Sequence, residues 1–452
     1  MRFARYALLL SIGVPAALTA QGFAVKELGT CSMGRGGVSG ASPCADGSAI
    51  WYNPAGLAGL TGTHFSVGGT LIAPHGGFTD DIFGVKTDML HQTFVVPNVY
   101  LAHQLGKGLG AGVGFFAPYG LGTKWPTDFN GRFDAYNTQL RSYYIQPTVA
   151  YQVTSWLSLG LGVAYIHSTV ELHQRADLSQ QPLPGFFGLP PGVTFATIGV
   201  PTNTDFADAT LKASGNGIAF NGGIKIKVND RLTIGGHFIT RKTIKYKGNA
   251  TFTQVPTGLV LAPAPPLIPA PVPLDLVLAA QFLADSALSA GSATTAITLP
   301  DQGIIGFAYQ ASDRWMVMGD YQQIVWGWFN NLTIDFANAK TPDRTQYEGY
   351  KDSHAVRLGV EFQQSPKTTI RAGYLYHTAG APVQTVTPLL PEGPRNEFTI
   401  GLGTQLSGGL RLDAAYQLIL QQDRRGRAGT TFNNGLYTFG ANLFGAGLSY
   451  TF

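Results

Sequence analysis

Charge is what this chain has least of. Asp, Glu, Lys and Arg make up 12% of its 452 residues, about half the ~25% usual in soluble domains. A soluble protein of this length needs more surface charge, whereas a membrane barrel shows lipid a charge-free outer face. The net charge of +4 is too small and too dispersed to imply a nucleic-acid partner. Long apolar runs are missing too. The longest candidates, around Leu259 to Ala280, are broken by prolines, so no segment offers the ~20 apolar residues of a membrane-spanning helix. The nine histidines are scattered, with no ligand-like spacing to Cys or Asp, and no G-x-S-x-G elbow occurs. The chain therefore offers no catalytic residues, no metal site and no cofactor, and reads as a non-enzyme. Cysteine is limited to Cys31 and Cys44. In an oxidising compartment a disulfide between them is one reading and two free thiols the other. A lipid-attached Cys31 fits poorly, because it lies well past the N-terminal apolar run.

That run sets the compartment. Arg2 and Arg5, then Ala7 to Leu18 interrupted by Pro15, then Leu18-Thr19-Ala20, have the form of a secretory signal peptide over residues 1–20, with the mature chain starting at Gln21.

Glycine is plentiful, at 58 residues, and much of it alternates with large apolar residues. Leu157 to Tyr165 and Leu109 to Phe115 repeat with period 2, the pattern of transmembrane β-strands. Short turns at Leu105–Gly108, Thr154–Ser155, Asn229–Asp230, Ser312–Asp313, Ser365–Lys367 and Ser407–Gly409 join strands in pairs. With a first strand near His64–Ala73 and a last at Ala441–Phe452 the count is fourteen, even as in single-chain bacterial barrels. The other connections are long. They run from Pro74 to Gln92, Tyr119 to Gln139, His173 to Ala213, Thr253 to Asp301, Ala337 to Tyr350, Thr378 to Pro394, and Asp423 to Phe439. This asymmetry separates periplasmic turns from extracellular loops. Two loops, 173–213 and 253–301, are unusually apolar. Gln180 to Thr202 and the Pro256 to Pro273 tract would pack on one another as a cap, collect a greasy substrate, or both, and Leu274 to Ala290 suits an amphipathic helix. The expected class is all-β, a 14-stranded antiparallel transmembrane β-barrel spanning 61–452, in the outer membrane of a Gram-negative cell.

Strand parity assigns the two faces, because a one-residue slip would turn the whole apolar set over. In the tenth strand Val356, Leu358, Val360 and Phe362 face lipid, sending Arg357 and Glu361 inward, with Lys351 in the same parity. By the same reasoning Arg371, His237, Arg241, Arg411 and Asp413 point into the lumen. There they form an ion-pair network, or one or two bases meet a substrate carboxylate. In the third strand Gly106, Gly108, Gly110, Gly112 and Gly114 share the inner face. Such a row permits close packing on an internal plug, or a bent strand that opens the wall sideways.

Gln21 to Leu60 lacks strand alternation, and an interior plug is the economical place for it. This segment carries Gly22-Phe23, the glycine-rich Met33 to Gly37, Ala45-Asp46 and Asn53-Pro54-Ala55. With Leu299-Pro300-Asp301, Glu348 to Asp352 and the aromatic C-terminus, the chain resembles the FadL family of outer-membrane long-chain fatty acid transporters, which includes aromatic-hydrocarbon relatives. The resemblance covers the mature chain. It implies a monomeric barrel closed by an N-terminal hatch (21–60) that moves through Asn53-Pro54-Ala55. It also implies passive uptake of a long-chain fatty acid or other hydrophobic small molecule, with lateral exit into outer-membrane lipid at a kinked third strand bearing Gly108, Gly110, Gly112 and Gly114. Lys351 occupies the place of a family lysine that meets the ligand carboxylate. A second family base has no secure match, Arg175 being nearest, with His167 behind it and Arg357 as a further lumen base. The cysteines are outside the family pattern. An aromatic-hydrocarbon or alkane channel of the same family, a porin-like pore for polar solutes, and an adhesin or phage receptor are the alternatives.

Overall fold

A computed structural model describes residues 22–181, 192–263, 270–427 and 434–452. The signal peptide expected over 1–20, part of the Pro/Gly/Phe loop and part of the proline tract lie outside the described residues.

Fourteen antiparallel strands close on themselves, named here β1 Thr63–Asp80, β2 Phe94–Gly106, β3 Leu109–Lys124, β4 Asn137–Gln152, β5 Leu157–Ala176, β6 Ala207–Lys227, β7 Leu232–Ile239, β8 Asp301–Ser312, β9 Trp315–Val325, β10 Ser353–Ser365, β11 Thr368–His377, β12 Arg395–Ser407, β13 Leu410–Gln421 and β14 Gly435–Thr451. β1 pairs with β14 from His64↔Thr451 to Asp80↔Gly435, which leaves no free edge. Alternation does the rest. Val356 and Leu358 of β10 are exposed on the outer wall while Arg357 between them is buried, and burial of one face only pins the register.

Several strands run further than expected on the side of the long connections. β1 reaches Asp80 and β3 reaches Lys124. Lys242–Gln254 and Gly291–Leu299 pair with each other, and the first also pairs with β6, so the wall continues into both ends of the connection read as loop at 253–301. Asn331–Phe336 and Arg344–Tyr347 form a further hairpin above β9 and β10. The wall is broken between these pieces and the strands below, at Thr240–Arg241, Pro300, Trp326–Trp328 and Glu348–Asp352. The break corrects one assignment. Arg241 does not face the lumen. The chain changes parity at Thr240, and the Arg241 guanidinium lies 3.8 Å over the exposed Trp328 ring and 3.3 Å from Asp301. The amphipathic helix is shorter than expected, Leu274–Ala279 followed by a 3-10 turn Ala280–Phe282. The two apolar loops do pack together. Phe195, Val200 and Phe206 from one and Leu261, Leu274, Val277 and Leu278 from the other form a separate small core.

Candidate functional site

Residues 22–60 fill the lower lumen, almost entirely buried. Cys31 and Cys44 form a disulfide inside this hatch, which constrains the loop between them.

Small residues on the wall create its seat. Gly110, Ala150, Gly160 and Gly223 lie on one ladder rung across β3 to β6. A methyl group at Gly110 would strike the Leu57 carbonyl, one at Gly160 would strike Pro54, and one at Gly223 would strike Asn53. The Asn-Pro-Ala turn therefore sits on bare backbone. Asn53 makes it rigid. Its side-chain oxygen accepts from the Ala55 N–H at 3.1 Å, capping the 3-10 turn Pro54–Gly59. Its amide donates to the Gly40 carbonyl at 2.5 Å and to the Ile224 carbonyl of β6 at 2.9 Å. Gly112 meets Ile50 of the hatch in the same way. Gly108 is a left-handed turn residue, and Gly114 backs onto the Tyr100 ring. Within the glycine row of β3, Gly110 and Gly112 thus serve close packing against the plug, and the bend in that strand lies higher.

The bend is at Ala117 and Pro118. The β3–β4 register jumps between Phe116 and Tyr119, and β2 stays paired with β3 only as far as Asn98↔Phe116. Phe94 to Pro97 of β2 consequently face a gap. Pro118 has no N–H to give a ladder, and the hatch terminus takes up the freed groups. The Val25 N–H donates to the Pro118 carbonyl at 2.8 Å and the Gly120 N–H to the Phe23 carbonyl at 3.0 Å.

Two hollows meet at this clasp. One is an apolar chamber of about 80 Å³ lined by Leu172, Leu211, Ile297, Leu332, Tyr350 and Leu389, with Phe23 in its floor. The other is a cavity of about 360 Å³. It runs from the lumen at Glu27, Arg395 and Ile419 to Val95, 69% exposed on the outer wall. Leu121, Leu140 and Leu390 line both. The Phe23 ring packs on Trp326 at 4.7 Å and Phe329 at 5.9 Å between centroids.

The ionisable groups divide by role. Arg35 of the hatch bonds Glu361 at 2.7 Å, Arg371 bonds Glu361 at 3.1 Å and Asp413 at 2.6 Å, and Arg411 bonds Asp413 at 3.1 Å. Asp320 of β9 accepts the Ser39 and Gly40 N–H groups at 2.9 and 3.1 Å. Arg357 is buried there against Gln322, so it supports the hatch and lines neither hollow. The other three bases singled out from sequence are also apart. Arg175 bonds Asp208 at 2.9 Å. His167 faces outward and bonds Asn216 at 2.9 Å. Lys351 has an exposed side chain, and its N–H donates to the Gly380 carbonyl at 2.9 Å. Two bases line the wall cavity, Arg141 on its outer side and, toward the lumen, Arg395, 2.7 Å from Glu397; Arg395 was not singled out from the sequence. Sequence reading missed it because it stands at the first position of β12, where parity has barely begun. Two loop carboxyls close the site. Burial pushes Glu348 up to about 8, with Asp134 adding to the rise and Arg344 opposing it. Burial also raises Glu392, against the N–H groups of Ala381 and Gly22.

A closed barrel with a seated plug, an apolar chamber and a side cavity defines a plugged transport channel rather than an open pore. The chain belongs to the outer membrane protein transport protein family (OMPP1/FadL/TodX), whose model matches residues 13–452. It is 23% identical over 442 residues to the 47 kDa outer membrane protein of Pasteurella multocida, covering 97% of this chain and 96% of that one. It is 22% identical over 449 residues to the long-chain fatty acid transport protein of Escherichia coli, covering 95% and 94%. Among solved structures, a Pseudomonas aeruginosa FadL homologue superposes with a TM-score of 0.79 at 19% identity, over 96% of this chain and all of that one. The Ralstonia pickettii toluene transporter TbuX gives 0.68 at 19% identity, over 95% and 100%. The protein is thus an outer-membrane channel for hydrophobic compounds.

Proposed function

We propose that the channel takes up long-chain fatty acids passively and releases them sideways through the wall above the β3 bend. The observation that carries this reading is the pair of hollows sharing Leu121, Leu140 and Leu390, one largely apolar, the other reaching the lipid-facing side chains of β2. A chain partitions into the chamber, where burial contributes about 0.8 kcal/mol per CH₂. Its carboxylate meets Arg395. Movement of Phe23 and of the Val25 and Gly120 backbone clasp connects chamber to cavity, and the ligand leaves between β2 and β3 without crossing water. The hatch shifts only if ligand binds the two arrangements unequally. Outer-membrane lipid is the acceptor.

Gly120 supplies the test. A Cβ placed there meets its nearest neighbours, the Leu140 carbonyl and the Val25 side chain, at 3.7 Å, ordinary contact, so Gly120→Trp is accepted at its Cβ and its ring obstructs the cavity. In cells lacking their own transporter, labelled oleate uptake should fall strongly while oleate binding to purified protein persists. Undiminished uptake would exclude the side exit. Uptake of toluene but not oleate would transfer the reading to a hydrocarbon channel.

A further inference from the structure

We infer that the outer wall across β4, β5, β6 and the Lys242–Gln254 extension is a binding site for the phosphorylated headgroup of an outer-leaflet glycolipid. The ladder aligns Arg141, Thr169, Ser214 and Lys247 on one rung. Burial alternation sends all four outward, since their neighbours Leu140, Ala213 and Tyr246 are buried. The rung above carries Gln139, Glu171 and Lys212, and Lys245 follows Lys247 one outward step down.

Two rungs below Arg141 the same face turns apolar. Ile145, Tyr165 and Ile218, each about half exposed, mark where acyl chains begin. The basic rung therefore stands at headgroup height on a protein of the outer membrane. Lys212 is bonded to Glu171 at 2.9 Å. Arg141, Lys245 and Lys247 form no ion pair among the described residues, and Arg141 bonds only the neutral Gln139 amide at 2.6 Å. Four bases face two carboxylates, Glu171 and Asp335. Two hollows of about 400 and 390 Å³ flank Lys247. The first brings Arg141, Lys212, Thr169 and Ser214 together, giving a phosphate both charge and hydroxyl donors. Anionic lipid surfaces attract each base by an amount that adds up across a cluster, and guanidinium suits a planar, two-point contact with phosphate.

Binding is measured on the purified full-length barrel in detergent with bisphosphorylated lipid A, and with the same lipid after removal of both phosphates. The triple variant Arg141→Gln/Lys245→Gln/Lys247→Gln should weaken binding roughly 100-fold, and the dephosphorylated lipid should bind the parent as weakly. A charge-matched variant, Arg231→Gln/Lys340→Gln/Lys367→Gln, removes three bases elsewhere and should bind like the parent. Heat-resistant migration on gels checks that both variants are folded barrels. Equal losses in the two variants, undiminished binding by the triple variant, or equal binding of dephosphorylated lipid would each overturn the site, as would displacement of the lipid by inorganic phosphate at low millimolar concentration.

Discussion

The hatch is held at two ends by opposite means. In its body, Arg35 enters a chain of guanidinium–carboxylate pairs running through Glu361, Arg371, Asp413 and Arg411. At its N-terminal end the charged groups meet neutral partners. Lys26 donates to the Gln302 amide, Glu27 accepts from Gln417 at 2.9 Å, and Glu392 accepts the Gly22, Gly380 and Ala381 N–H groups. Parting a buried ion pair strands two charges, whereas parting a contact between a charge and a neutral amide strands one. The body is therefore the more costly part to separate from the wall, and the end beside Phe23 and the β3 bend the less costly. That end is also where the two hollows meet.

The largest effect should come from the body. Glu361→Gln leaves Arg35 and Arg371 sharing no carboxylate, and should destabilise the folded barrel by ~3–5 kcal/mol, read from the midpoint of urea unfolding in detergent. A loss below about 1 kcal/mol would remove the contrast between the two ends. Next comes the seat itself. Asn53→Ala abandons the buried carbonyls of Gly40 and Ile224 and the Ala55 N–H, at a cost of ~1–3 kcal/mol. It should also make Cys31–Cys44 easier to reach with reductant. Glu348 gives a third, smaller effect. With its carboxyl held near 8, Glu348 in the chamber wall is mostly neutral at pH 7 and mostly charged at pH 9. Oleate affinity should drop about tenfold across that interval, on the order of one partly screened like-charge contact, and Glu348→Gln should flatten the profile. The stability sign agrees. A carboxyl raised in the folded state favours folding at low pH, and that advantage is lost as pH rises from the unfolded value of about 4.5 toward 8. A profile identical in the Gln variant would assign the effect elsewhere.

Much of this arrangement is legible in the sequence, and the physical reason is the period of two. Alternation at Val356 to Phe362 gave the barrel, its parity and the inward Arg357, Glu361 and Arg371. The six short turns gave strand order. Parity failed at Arg241 because a break at Thr240 resets it, and nothing in Ile239-Thr240-Arg241 marks the break. The glycines of β3 were readable as plug contact or hinge, but only the placement of Leu57, Ile50 and the register jump at Phe116 separates the two. Arg395 and the glycine rung at Gly110, Gly160 and Gly223 depend on residues brought together from far along the chain, for which a single sequence carries no local sign.

The smallest expected effect sharpens the comparison most. Lys351 is the base expected from the family resemblance to meet a ligand carboxylate, yet its side chain is exposed and lines neither hollow, while Arg395 stands in the wall cavity. An exposed, hydrated cation contributes ~0–1 kcal/mol to a contact, so Lys351→Ala should change oleate affinity less than about threefold. Removing Arg395 takes away a mostly buried partner and should cost about tenfold or more, consistent with ~1.5–3 kcal/mol for a hydrogen bond to a charged group. Because Arg395 also pairs with Glu397, Arg395→Lys is the control. It keeps the charge and should recover most of the binding if the carboxylate of the ligand is what it meets. Should the order be reversed, with Lys351 the sensitive position, the head group is held at the loop rim rather than at the loosely tethered end of the hatch, and ligand would have to act on the hatch from above rather than beside Phe23.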